Sequence, residues 1–153
     1  MVRLVDLDPS MREAILGLDC PVFDTVPWCD GPPLGGRRVA IVTTAGLHRA
    51  DDPAFAVGAA DYRVIPSDMP GSELRLSHVS TNFDRSGFQE DANVVFPIDR
   101  VAELARDGAI GSVATYHYSF MGATDPRRME PQARALAGLL RDDGVDAVIL
   151  TGV

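Results

Sequence analysis

Apolar positions along the chain alternate between short β-branched runs and amphipathic stripes, and that alternation sets out the elements. Arg38-Val-Ala-Ile-Val-Thr-Thr44 predicts a first central strand, ended by Ala45-Gly46. Asp61 to Ile65 predicts a short strand stopped by Pro66, and Glu73 to His78 another with alternating apolar positions. Ile110 to Tyr118 reads as a strand running into a loop at Phe120-Met-Gly122. In Asp146-Ala-Val-Ile-Leu-Thr-Gly-Val153, the residues from Ala147 to Thr151 are apolar or β-branched, the pattern of a buried parallel strand fed by a helix.

Three stretches have helical spacing. Ile98 to Asp107 is amphipathic, opened by Pro97 and closed by Gly108. Glu130 to Arg141 places Pro131 in its first turn and Gly144 beyond its end. Pro9 to Leu18 has Ser10 as the expected cap, with Glu13 at capping-box distance. The polar segment from Val79 to Asp91 reads as loop with a helical turn at Ser86 to Gln89. Strand, helix and strand in this order predict an α/β fold. It would have three layers, a mostly parallel sheet with flanking helices of the Rossmann-like or flavodoxin-like kind, and room for antiparallel edge strands in the middle. Residues 1–36 form an N-terminal helix and a Pro/Gly-rich arm; residues 37–153 form the α/β domain.

Composition narrows the partners. A net charge of −8 argues against nucleic acid or an anionic membrane as the main partner. No apolar run approaches the length of a spanning helix, and the N-terminus lacks a basic-then-apolar signal region, so the cytoplasm is the expected compartment. All fourteen cations are arginine, which removes lysine Schiff-base chemistry and a P-loop lysine. Cys20 and Cys29 match neither a redox pair nor half a zinc knuckle and read as free thiols.

The candidate chemistry lies at the strand ends. In open α/β sheets ligands bind in the crevice beyond the carboxyl ends of the strands. The first strand delivers Thr44 and His48, and the next supplies Arg63, whose planar fork suits a carboxylate or an ordinary ion pair. His78 follows the third with Asn82 and Asp84 just after, Tyr116 and His117 lie on the fourth, and Thr151 and Gly152 end the last. Asp91 and Asn93 suit either Asx turns or a substrate, while Asp99 suits the positive end of a helix. Three readings of His48, His78 and His117 stay open: ligands, with Asp84, of a hydrolytic metal; histidines satisfied by backbone; or acid/base and carboxylate-orienting groups around a nucleophile. No covalent nucleophile is visible in the 153 residues.

Several segments, in order, carry a family resemblance: Val42-Thr-Thr-Ala-Gly-Leu-His48 with Asp52-Pro53 and Phe55, Asp61 to Pro66, Asp91-Ala-Asn-Val-Val-Phe-Pro-Ile-Asp-Arg100 with Glu103-Leu and Gly108 to Gly111, His117 to Gly122, and Val148 to Gly152. From Arg38 onward the chain resembles the selenoprotein B family of the glycine, sarcosine, betaine and D-proline reductases. The resemblance implies reductive cleavage of a C–N bond at an activated α-carbon of an amino acid or amine. A selenolate attacks that carbon, an amine leaves, and a thiol or second selenol regenerates the enzyme. It also implies partner reductase subunits, one of them contributing a pyruvoyl group.

In the family the strand resembling Asp146 to Val153 leads into a turn containing cysteine or selenocysteine and then a helix. Selenocysteine is encoded by a stop codon. The expectation is therefore a chain cut short, with no cofactor of its own and a selenocysteine due after Val153. By placement, His48, His78 and His117 would protonate the leaving group or orient the nucleophile, and Arg63 would hold the substrate carboxylate. An exposed central strand also invites homo-oligomers. The competing readings are a metal-dependent hydrolase built on the three histidines and a non-catalytic, partner-binding subunit.

Overall fold

The computed structural model describes every residue except Met1, Val2, Cys20, Pro21, Phe23, Thr25, Pro27 and Asn82. Its centre is β1 (Arg38–Thr43), whose Val39, Ala40 and Ile41 are fully or almost fully buried. On one side β7 (Ala147–Thr151) runs parallel along β1, Val39 against Ala147 through Thr43 against Thr151. The other side is shared. β5 (Ser112–Val113) pairs with the start of β1, and β6 (Tyr116–Ser119) with its end. β3 (Arg63–Pro66) closes that side antiparallel to β6, Arg63 against Ser119. A separate two-stranded piece, β2 (Leu47–His48) with β4 (Arg75–Leu76), is antiparallel. The sheet is thus mostly parallel with an antiparallel edge strand, as the sequence pattern allows.

Period-two alternation along β1 sends Val39 and Ile41 to one face and Val42 to the other. The first face packs on Phe96 and on Ile98 and Val101 of α3 (Ile98–Arg106), which Pro97 opens and Gly108, at φ +72°, ends. The second face carries Tyr118 and Phe120 against Leu136 of α4 (Pro126–Asp142). α4 begins a turn earlier than the proline pattern indicates, because the Asp125 carboxylate accepts from Arg127 N–H and Pro126 takes the first helical position; Pro131 lies inside it. Likewise α1 (Pro9–Leu16) is capped by Asp8, which accepts from Ser10 N–H, rather than by Ser10. α2 (Ser86–Glu90) is the expected helical turn. Before Arg37 no described residue is buried, and Asp19 reaches the body through Arg127 at 2.8 Å.

Pro66 lies within β3 instead of stopping it, the strand expected from Glu73 to His78 shortens to Arg75-Leu76, and two further strands differ from their sequence expectation. The stretch from Ile110 to Tyr118 is broken at Ala114-Thr115: Asp143, beyond the end of α4, accepts from Thr115 N–H at 2.6 Å and Thr115 Oγ1 at 2.7 Å and pairs with Arg38 at 2.8 Å. These contacts pull the chain out of the ladder. The last strand is half-buried at the sheet edge rather than buried on both faces. Ile149 and Ala147 pack on the core, but α4 leaves Val148 40% and Leu150 77% exposed.

Candidate functional site at the carboxyl ends of the strands

The carboxyl ends of β1, β6 and β7 meet at one edge, held by a mesh of short hydrogen bonds. Thr43 and Thr151 both donate their hydroxyls to the carbonyl of Val95, at 3.0 and 2.9 Å. Thr44 N–H donates to Thr151 O at 3.0 Å, and the Thr44 hydroxyl accepts from Val153 N–H at 2.9 Å. Gly122 N–H donates to Thr44 O at 2.8 Å. A Cβ on Gly122 would lie 2.9 Å from both Thr44 O and Val153 O, so only glycine lets these backbones meet. Gly46, at φ +68°, turns the chain out of β1, and a Cβ there would sit 3.1 Å from the His78 backbone. That turn brings the loop after β4 over the strand ends, where Ser77 N–H donates to Gly46 O.

The three histidines occupy different environments. His48 ends β2, 8% exposed, with Nδ1 2.7 Å from Arg49 O. His117 is fully buried within β6, on the face opposite Tyr116 and Tyr118, with its ring edge-on to Phe96. Its Nδ1 accepts from Ile41 N–H at 3.1 Å, filling the ladder position left open by the break before β6. Burial pushes its pKa down to about 4, against a smaller opposing pull from Asp143, so the ring is neutral at pH 7. His78 is 5% exposed and its Nδ1 accepts from Ser80 N–H at 3.2 Å. Burial and then the neighbouring Arg85 charge lower its pKa as well. Among the described residues neither His78 Nε2 nor His117 Nε2, both buried, has a hydrogen-bond partner.

His78 differs from the other two in forming a wall of a cavity of about 360 Å³ with Phe83, Asp84, Gly122, Ala123 and Val153. The Asp84 carboxylate accepts from Ser86 N–H and the Ser86 hydroxyl, which hold its pKa below the usual range. Arg63 lies at the same edge by its pairing with Ser119, its guanidinium donating to Pro53 O, Asp61 and Tyr62 O and lying 4.3 Å over the Phe55 ring. Thr151 and Gly152 complete the end of β7.

Other sequence candidates sit elsewhere. Tyr116 starts β6, at the end remote from Ser119, and lines a cavity with Thr115 and Asp143. Asp91 and Asn93 build the turn before α3: Asp91 accepts from Asn93 N–H, which lowers its pKa, and Asn93 Oδ1 accepts from Asp99 N–H at 3.0 Å. They line a cavity of their own with Phe88 and Gly71. Cys20 and Asn82 lie outside the described residues, and Cys29 is an exposed free thiol. Among the described residues no three His, Cys, Asp or Glu side chains are grouped so as to hold a metal ion. No helix among them is long and apolar enough to cross a membrane. Sequence reasoning passed over Gly122, Arg85 and the Val95 carbonyl; Gly122 alone left a signal, as the turn ending the His117 segment.

This geometry can be set beside known proteins. Residues 16–153 match the family model described as glycine/sarcosine/betaine reductase selenoprotein B. The chain belongs to this family. It is 36% identical over 121 residues to the D-proline reductase subunit gamma of Acetoanaerobium sticklandii, covering 77% of this chain and 49% of that protein. To the sarcosine reductase complex component B subunit beta of Peptoclostridium acidaminophilum it is 32% identical over 139 residues, covering 86% and 31%. To the glycine reductase complex component B subunit gamma of Symbiobacterium thermophilum it is 30% identical over 141 residues, covering 86% and 32%. The chain therefore spans from 31% to 49% of the length of these relatives. No solved structure matches it.

Proposed function

We propose that the chain forms the N-terminal α/β section of a selenol- or thiol-dependent reductase component that cleaves a C–N bond at the activated α-carbon of an amino acid or amine. The observation that carries this reading is the mesh uniting Thr44, Gly122 and Val153, which fixes the end of β7 beside the His78 cavity within a chain of the selenoprotein B family. The selenocysteine or cysteine would follow Val153 and supply the nucleophile. At that point a helix N-terminus would favour the anionic chalcogen. A pyruvoyl group from a partner subunit would activate the amine, in keeping with a chain that contains no lysine.

The chain's own residues would then divide the work. Arg63, already oriented by Asp61, Pro53 and Phe55, braces the substrate side of the edge. His78 faces the cavity, while His117 and His48 position β1, β6 and β2 from behind. The expected Rossmann-like or flavodoxin-like class, a cytoplasmic location and a homo-oligomer belong to the same proposal. The half-exposed β7 supports the last of these, since a strand edge with Val148 and Leu150 uncovered favours a partner. The same exposed face favours the second reading, a non-catalytic, partner-binding subunit.

The test is alkylation. The reading frame is expressed with its codon after Val153 decoded as selenocysteine, treated with iodoacetate at pH 6, and mapped by mass spectrometry. Rapid modification at that single position is expected. An in-frame continuation with no selenocysteine or cysteine there removes the reductase reading and leaves the partner-binding one.

A further inference from the structure

The helix α1 has an apolar face and nothing beneath it. Met11, Ala14 and Ile15, with Leu18 just beyond the helix end, recur at the i, i+3, i+4, i+7 spacing of a single stripe. Met11, Ile15 and Leu18 are exposed. Among the described residues the stripe and Ser10 alone line the adjoining space of about 650 Å³. A helix of eight residues is not stable in water by itself, so this face requires a surface to bury against.

A second unfilled apolar surface lies on the body of the chain. Val64 of β3, Tyr116 and Tyr118 of β6 and Leu139 of α4 line a groove of about 360 Å³ between that helix and the antiparallel edge strand. Val64, Tyr116 and Leu139 are exposed. Unlike the open face of β7, the groove has a wall, and a convex helical stripe suits it. The charges also match. Asp142 lines the groove and Arg12 follows Met11 on α1; among the described residues neither has an ion-pair partner.

The chain's own α1 stops short of this groove. Asp19 holds the end of the arm to Arg127, in the first turn of α4, at 2.8 Å. From Arg127, Leu139 lies about 18 Å along α4 and Asp142 about 22 Å, whereas the stripe from Leu18 back to Met11 spans about 11 Å. A second copy has no such restriction. The chain exposes 9719 Å², against about 7,500 Å² for a compact monomer of its 16.4 kDa. The excess of roughly 2,200 Å² falls within the area each subunit of an obligate homodimer buries, about 1,000–2,500 Å². We propose that two copies exchange arms about a two-fold axis, the Met11–Ile15–Leu18 stripe of each seated in the Val64–Tyr116–Leu139 groove of the other, with Arg12 beside Asp142 across the interface. The assembly rests on the homo-oligomer of the proposed function alone and leaves its C–N bond chemistry to a separate test.

Sedimentation velocity of the 153-residue chain and a cross-link between two variants provide the test. The chain is expected to sediment at twice its 16.4 kDa, with a Kd below about 10 µM. Ile15→Asp and Leu139→Gln should each weaken the dimer at least about tenfold. Both side chains are exposed within one chain, so the variants should keep the wild-type far-UV circular dichroism. For the cross-link, Cys20→Ser and Cys29→Ser are introduced throughout; one chain then carries Ile15→Cys and the other Leu139→Cys. Mixed and oxidised, the two should join through a disulfide. A monomer at about 100 µM would overturn both the arm exchange and the homo-oligomer. A dimer of undiminished affinity in folded Ile15→Asp, or one that yields no mixed disulfide, would overturn the arm exchange and leave the homo-oligomer standing.

Discussion

Thr43 and Thr151, on neighbouring parallel strands, converge on a single acceptor, the carbonyl of Val95, at 3.0 and 2.9 Å. The two hydroxyls tie the carboxyl ends of β1 and β7 to the turn that starts α3, so the candidate edge is anchored from beneath. The arrangement is asymmetric. Thr43 is fully buried and its oxygen also accepts from Ala45 N–H at 3.1 Å, whereas Thr151 is partly exposed. Thr43→Val should therefore leave a buried N–H without its acceptor and cost about 1–3 kcal/mol. Thr151→Val leaves Val95 O satisfied by Thr43 and should cost under about 1 kcal/mol. Urea unfolding of both variants, read as midpoints at unchanged slope, checks the order.

His117 predicts an acid-sensitive fold. Its pKa stands at about 4 in the fold and near 6.5 in the unfolded chain, the shift coming from burial. The unfolded state therefore binds more protons between those values. Stability is fully present above pH 6.5 and is lost as pH falls towards about 4. The linked loss is roughly 3 kcal/mol for His117 alone. His78, also lowered, adds to the loss in the same direction below pH 6.5. Burial raises the Asp143 pKa, but its bonds to Arg38 and Thr115 together outweigh that and leave it lowered, which extends the loss into the carboxylate range. Unfolding free energies measured at pH 7.5, 5.5 and 4.5 should fall steadily; a flat profile would contradict the neutral, buried state of His117.

Gly122 should tolerate no side chain. An alanine Cβ would stand 2.9 Å from Thr44 O and Val153 O, both backbone atoms that cannot rotate away. Gly122→Ala is expected to separate the end of β7 from Thr44 and to cost about 1–3 kcal/mol by overpacking. Hydrogen exchange at the Val153 amide, bonded to the Thr44 hydroxyl in the wild type, reports the separation as faster exchange than at the Ile149 amide in mid-strand.

The parts of the fold legible in the sequence are those fixed by local signals. Pro97, Gly108 and the apolar spacing between them are contiguous, so α3 was readable, and the β-branched runs of β1 and β7 were as well. The split between β5 and β6 was not readable, because it depends on Asp143, which is remote in sequence from Thr115. Alternation shows that His117 faces away from Tyr116 and Tyr118, but not that its face is the closed one packed on Phe96. The start of α4 was missed because Asp125 competes with Pro131 as a helix-opening signal, and the capping carboxylate wins. Strand-end logic located the edge where Thr44, Arg63, His78, Thr151 and Gly152 gather. It also gathered Tyr116, which β6 carries to its opposite end, and Asp91 and Asn93, which are engaged in the turn that starts α3.

The account turns on a reactive chalcogen next to the ends of β1 and β7. Its most direct measurement is dithiol-dependent C–N bond cleavage of glycine, sarcosine, betaine and D-proline by the reading frame carrying the proposed selenocysteine, mixed with the proposed partner subunits and read as amine released from the first three and as the ring-opened primary amine from D-proline. The account predicts cleavage of at least one of them, abolished when the residue after Val153 is changed to serine. Equal cleavage by the serine form, or no cleavage of any of the four substrates with the chalcogen in place and reduced, would contradict it.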